Sequence, residues 1–153
     1  MSKDYGIVRT ADQLTMTGME FVQGLVDGSL PLNPLARTLG YDIVEADDGR
    51  AVVTAHASAD QLNPSGTVHG GVAAVLLDTC MGLAIRTRVE RGKSSTTLEF
   101  KISFMRPITA EAGLLRAEGI VLTCGRRVGT AEGRLTDGEG RLLAHGTTTC
   151  LIV

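Results

Sequence analysis

The chain has 153 residues, a formal net charge of −2 at pH 7 and a hydrophobic content of 43%. That length suits one domain with a sizeable core, and the near-balanced charge lacks the basic footprint of a nucleic-acid binder. Aromatic residues are 3% of the chain and Trp is absent, so no platform for stacking bases stands out.

Met1-Ser2-Lys3-Asp4-Tyr5 has neither the basic start nor the apolar run of a secretory signal. Leu14, Phe21, Val22 and Leu25 recur at helical spacing and stop at Gly28, which predicts an amphipathic helix over 12–27. Leu30–Leu32 reads as a loop. Asn33-Pro34 then reads as an N-cap followed by Pro at the first helical position, opening a short turn that ends at Gly40. Two strand-like runs, 43–46 and 51–57, flank Asp47-Asp48-Gly49, a hairpin signal.

Asn63-Pro64-Ser65-Gly66-Thr67-Val68-His69-Gly70-Gly71 runs straight into Val72–Ile85, an almost wholly apolar stretch with one carboxylate, Asp78. The turn formers and the Gly pair mark a loop that ends where a helix begins. Its apolar character all round predicts a buried helix, too short and too acidic for a membrane span. Helix-start N–H groups can hold a negative oxygen, and Gly allows close approach to them. A buried carboxylate is costly without a task. Together these parts suit the cleavage of an acyl compound.

Gly71 and Asp78 share a helix face but lie roughly 10 Å apart along the axis. One carbonyl carbon cannot contact both a donor at Gly70 or Gly71 and this carboxylate. The simplest arrangement pairs the Gly end of one copy with Asp78 of another, and two-fold symmetry then makes two equivalent sites. A homodimer is therefore expected.

Beyond the helix, Arg91-Gly92-Lys93 is a polar break, and Thr97–Met105 alternates over its length as the clearest strand. Three further strands are predicted over 114–123, 127–135 and 141–152, with turns at Gly125 and Asp137-Gly138-Glu139-Gly140. Short connections favour antiparallel neighbours. The expected fold is α+β: an antiparallel sheet of five or six strands around one long central helix, with no internal repeat.

These residues resemble the hotdog-fold acyl-CoA thioesterases of the phenylacetic acid degradation (PaaI-type) branch. Asn63, the run Gly66–Gly71, Asp78 and the strand Thr97–Pro107 carry the resemblance, which extends from about Pro34 to the C-terminus. Residues 1–32 read as an N-terminal helical extension and 33–153 as the hotdog domain. The resemblance implies a homodimer or dimer of dimers that hydrolyses coenzyme A thioesters between subunits. It implies that Asp78 is the catalytic carboxylate, as general base or nucleophile, and that Gly70 is the backbone donor to the thioester carbonyl. His69 and Asn63 match residues that shape the site, with Asn63 implicated in placing the water or carbonyl, and Thr97 falls where relatives support the carboxylate.

Gly71, Met81, Arg126 and Arg127 complete the expected substrate contacts, the two arginines for the coenzyme A phosphates. Leu76, Leu77 and the segment around Phe21 are further expected linings of an apolar acyl pocket for an aromatic or medium-chain group. Cys80, Cys124 and Cys150 are odd in number and have no CxxC partner, so no disulfide framework and no metal site is expected, and a cytoplasmic setting fits. His56 and His145 lack metal-ligand spacing. No cofactor beyond the substrate's own coenzyme A, no nucleic acid and no membrane is expected. Two alternatives remain open: a hotdog enoyl-CoA hydratase or dehydratase using His69 with Asp78, and a non-catalytic acyl-CoA binding or sensor protein.

Overall fold

The computed structural model describes residues 2–153. In chain order these form α1 (Thr10–Gln13), α2 (Gly18–Asp27), α3 (Pro34–Leu39), β1 (Tyr41–Asp47), β2 (Arg50–His56), a short 3₁₀ turn (Ala59–Gln61), α4 (Gly70–Arg86), β3 (Ser95–Phe104), β4 (Leu114–Cys124), β5 (Val128–Thr136) and β6 (Leu142–Ile152). No helix among the described residues is long and apolar enough to cross a membrane.

The single helix expected over 12–27 is two helices. Thr17 adopts an extended backbone and caps α2: its Oγ1 accepts from the Glu20 N–H at 3.1 Å, and the Glu20 carboxylate accepts from the Thr17 N–H at 2.7 Å. This reciprocal box starts a fresh helix inside the apolar period. Gly28, at φ 81°, then closes α2. Pro34 opens α3 as expected, but Asn33 does not cap it; its Oδ1 accepts from the Tyr41 hydroxyl at 2.7 Å instead.

The six strands form one antiparallel sheet in the order β1-β2-β4-β5-β6-β3, curved around α4 in the hotdog arrangement. The long helix sits close to the sheet because a row of glycines makes room for it. Gly119, Gly133 and Gly146 pair directly across β4, β5 and β6. A Cβ at Gly119 would collide with the backbone carbonyl of Cys80, and one at Gly133 would lie 2.9 Å from Met81 Cγ. Leu76, Leu77, Cys80, Met81 and Ile85 fill the interface with no exposed surface. α2 meets the C-terminal end of α4 at Gly18, where a Cβ would collide with the Arg86 carbonyl and whose N–H donates to Val89 O, just past the helix, at 2.8 Å.

On the outer face Arg50 joins β1 to β4 through Glu45 at 2.7 Å and Glu118 at 2.6 Å, and Arg116 bonds Glu118 at 2.5 Å. The hydrogen bond from Arg116, and then that from Arg50, hold the Glu118 carboxyl below the usual glutamate range.

Two measurements check these points. Gly119→Ala pushes α4 off the sheet and is expected to lower unfolding free energy by about 1–3 kcal/mol in a denaturant titration. A depressed carboxyl stabilises fully above its unfolded pKa, about 4.3, and loses that contribution as pH falls through the folded value. The unfolding midpoint should therefore drop below about pH 4.3 more steeply in the wild type than in Glu118→Gln.

Candidate active site

The loop before α4 is built by Asn63. Its Oδ1 accepts from the N–H groups of Ser65 at 2.9 Å and Thr67 at 3.2 Å, and its Nδ2 donates to Thr67 Oγ1 at 2.9 Å. The Asn63 side chain thus folds the loop as an Asx-type turn. Backbone bonds pin the loop's far end, from Val68 N–H to Ile108 O and from His69 N–H to Gln61 O, both at 2.7 Å. His69 is the N-cap of α4, and its exposed ring accepts from the Gly71 N–H at Nδ1, 2.8 Å away. That bond occupies the Gly71 donor.

The Gly70 N–H has no acceptor among the described residues. Gly70 lies beneath the Phe104 ring, where a Cβ would sit 3.0 Å from Cζ. This end of α4 opens on a cavity of about 320 Å³ lined by Asn63, Gly70, Phe104 and Arg106 among others. An idle donor at the positive end of a 17-residue helix is a ready seat for developing negative charge.

Asp78 is half-buried and lines a different cavity, of about 350 Å³. Its Oδ1 accepts from Thr97 Oγ1 at 2.9 Å, while Oδ2 has no hydrogen-bond partner among the described residues. A bulge aims Thr97: β3 pairs with β6 as Thr97↔Cys150 and then Glu99↔Thr149, leaving Leu98 as the extra residue. The cavity wall continues over Tyr41, Thr79, Gly82 and Leu83, and residues 6–8, Gln13 and Phe21 of the N-terminal region roof it. Burial pushes the Tyr41 hydroxyl pKa up, and the nearby Asp78 charge adds to that shift.

One chain therefore brings Asn63, His69, Gly70 and Gly71 together at one end of α4, and Asp78 with Thr97 further along. Met81 joins neither group. It has no exposed surface and packs against Gly133 and Gly146, so its expected place at the substrate is corrected to the core. Leu76 and Leu77 are likewise core residues; Thr79, Gly82 and Leu83 occupy the face shared with Asp78. Arg126 and Arg127 are exposed on the β4–β5 turn, beyond the C-terminal end of α4. Arg126 borders a separate polar hollow with Arg88 and Lys93, which already pair with Asp48 and Glu90. Tyr41 and Arg86 line the Asp78 cavity without having been picked out in the sequence. A Tyr at a strand start and an Arg just past an apolar run carry no local motif. No group of three or more His, Cys, Asp or Glu side chains with metal-binding geometry occurs among the described residues.

Comparison with known proteins converges on one family. The model of the thioesterase superfamily matches residues 65–144, from the loop before α4 into β6. Human acyl-coenzyme A thioesterase 13 is 30% identical over 120 residues, covering 74% of this chain and 81% of that protein. A phenylacetic acid degradation-related protein of Ralstonia eutropha superposes with a TM-score of 0.77 at 33% identity, over 86% of this chain and 98% of that one. The PaaI protein of the Escherichia coli phenylacetic acid degradation operon gives a TM-score of 0.76 at 25% identity, over 92% and 96%. A matching loop, helix and sheet in the same order make this chain a member of the thioesterase superfamily.

Proposed function

We propose that the chain hydrolyses acyl-coenzyme A thioesters at sites shared by two copies. The observation that carries this reading is the division of the apparatus. The idle Gly70 N–H and the free Oδ2 of Asp78 face different cavities of one chain, roughly 12 Å apart along the helix.

The edge strand β3 offers the way to join them. Leu98, Phe100 and Phe104 on it, and Met105 just past its end, are each more than 40% exposed, and an unpaired apolar edge invites another strand. Gly70 sits under Phe104, and Asp78 bonds Thr97. An antiparallel β3–β3 pairing about a two-fold axis near Phe100 and Lys101 sets Phe104 of one copy opposite position 97 of the other. It thereby brings the Gly70 end of one copy to the carboxylate of the other.

In such a site the thioester oxygen docks on the Gly70 N–H, where negative charge grows as water adds to the carbonyl. Asp78 takes the proton of that water and the C–S bond breaks, coenzyme A leaving as its thiolate. In the covalent route the carboxylate adds to the carbonyl, thiolate leaves to give an acyl-aspartyl anhydride, and water then releases the acid. Thr97 holds the carboxylate by one oxygen and leaves the other for this work. Asn63, which lines the Gly70 cavity, helps to place the water or the carbonyl, and His69 positions the donor end. The apolar wall of Phe21, Leu25 and Leu83 suits an aromatic or medium-chain acyl group. Arg126 and Arg127, on the β4–β5 turn away from both cavities, remain the proposed contacts for the coenzyme A phosphates. The free thiols Cys80 and Cys150, both buried, suit a reducing cytoplasm.

Asp78→Asn should cut thiol release roughly 10²–10⁴-fold with the fold intact by circular dichroism; wild-type turnover would remove Asp78 from the chemistry. Gly70 is the first residue of α4, where Pro is tolerated. Gly70→Pro deletes the donor and should lower kcat by about 10²–10³-fold. Neither variant works alone, but co-expressed in equal amounts they should recover about a quarter of wild-type activity, since half the dimers then hold one intact site. No recovery on mixing would place both groups at a site within a single chain.

A further inference from the structure

The Asp78 cavity runs on along α4 to Arg86, which the proposed hydrolysis does not use. Arg86 is 5% exposed. Its Nη1 donates to Ser94 Oγ at 2.6 Å, and its guanidinium carbon lies 5.0 Å from the centre of the Phe21 ring. Nε and Nη2 are shielded from solvent and have no acceptor among the described residues. Burial pushes the guanidinium pKa down, yet this group stays charged in proteins.

Two ordinary explanations leave those donors unused. Arg86 stands in the last turn of α4, where a cation is favoured by the helix dipole, but its side chain bonds Ser94 rather than the terminal carbonyls. The guanidinium carbon lies over the Phe21 ring, and a cation–π contact leaves Nε and Nη2 without an acceptor. A buried cation with an idle edge is expensive to keep. Nε and Nη2 form the edge of the guanidinium that grips a carboxylate side-on with two parallel bonds.

We infer that the cavity takes an acyl group whose far end bears a carboxylate, seated on Nε and Nη2 of Arg86 while the thioester carbonyl lies beside Asp78. This inference rests on the acyl-thioester reading and names its substrate class. Two rulers agree on the span. Ser94, the partner of Arg86, precedes Thr97, the partner of Asp78, by about 10 Å of extended chain. Along the helix the two residues are roughly 12 Å apart. Allowing for the hydrogen bonds at both ends, that gap fits an ω-carboxyacyl chain of about adipyl length. Gly82 and Leu83 lie between the two ends and give the methylene chain an apolar path. The Phe21 ring must swing aside to admit the carboxylate, a single rotamer change on α2.

The test compares glutaryl-, adipyl- and suberyl-CoA with the uncharged acyl-CoAs of equal carbon number. The wild type should favour at least one charged member by on the order of a hundredfold in kcat/KM. Arg86→Met should bring that ratio close to one, and Arg86→Lys, which keeps the charge but loses the fork, should fall between. If Arg86 served only to hold Phe21 and Ser94, its replacement would slow both series alike and leave the ratio unchanged. Equal or better hydrolysis of the uncharged series by the wild type overturns the inference without any variant. Should neither series be hydrolysed, calorimetric binding to the wild type separates the two readings. Tighter binding of a charged member then keeps the carboxylate site and rejects the hydrolase, and equal binding rejects the carboxylate site.

Discussion

The seat of α4 on the glycine row is the constraint from which the rest of the molecule follows. Gly119, Gly133 and Gly146 stand side by side on three neighbouring strands, and together they let the Cys80–Met81 turn of the helix approach the sheet backbone. Van der Waals contact at that distance leaves no slack, since protein interiors are packed as densely as organic crystals. The helix is therefore fixed in rotation as well as in height. With Leu77, Cys80 and Met81 turned to the sheet, Asp78, Gly82 and Leu83 must turn to the space beneath the N-terminal region. The cavity that holds the carboxylate is a consequence of that rotation.

The same fixed helix determines how far Gly70 and Asp78 lie from each other. Gly70 and Asp78 belong to one rigid rod, and no side-chain adjustment brings them to a common atom. An irregularity in β3 completes the arrangement. Leu98, Phe100, Ile102 and Phe104 alternate with Thr97, Glu99, Lys101 and Ser103, and strict alternation would put Thr97 on the opposite face from Phe104. The bulge at Leu98 shifts the parity by one. Phe104 can then cover Gly70 while Thr97, on the same strand, reaches Asp78.

This parity shift also shows where sequence reading succeeds and where it stops. The central helix, its Gly entrance and its lone acid were legible because each rests on local chemistry: turn residues, a continuous apolar run, and the cost of a buried charge. The strands were legible from their alternation and Gly-rich turns. Thr97 entered only through family resemblance, because the alternation by itself points its side chain away from Asp78. A helix apolar all round gives no hint of which side faces the sheet, so the sequence alone does not place Met81; the glycines that decide it lie on three strands far along the chain. The break between α1 and α2 was visible as Thr17-x-x-Glu20, but the apolar period running through it masked the signal.

The N-terminal region adds an enclosure that the sheet and α4 do not provide. Gly6 donates to Leu32 O at 2.8 Å, Leu32 donates to Asp4 O at 2.9 Å, and Lys3 bonds both the Asp42 carboxylate and Ile43 O at 2.6 Å. These bonds anchor the segment to the start of β1, so that residues 6–8 and Phe21 lie over Asp78. A roof of this kind lowers the local dielectric, and low dielectric strengthens every charge interaction beneath it. It raises the energetic weight of the free Oδ2 of Asp78 and of the idle edge of Arg86 alike. A covered cavity with a free carboxylate oxygen near one end and an unpartnered cation edge near the other responds to the polarity of what enters it as well as to its size.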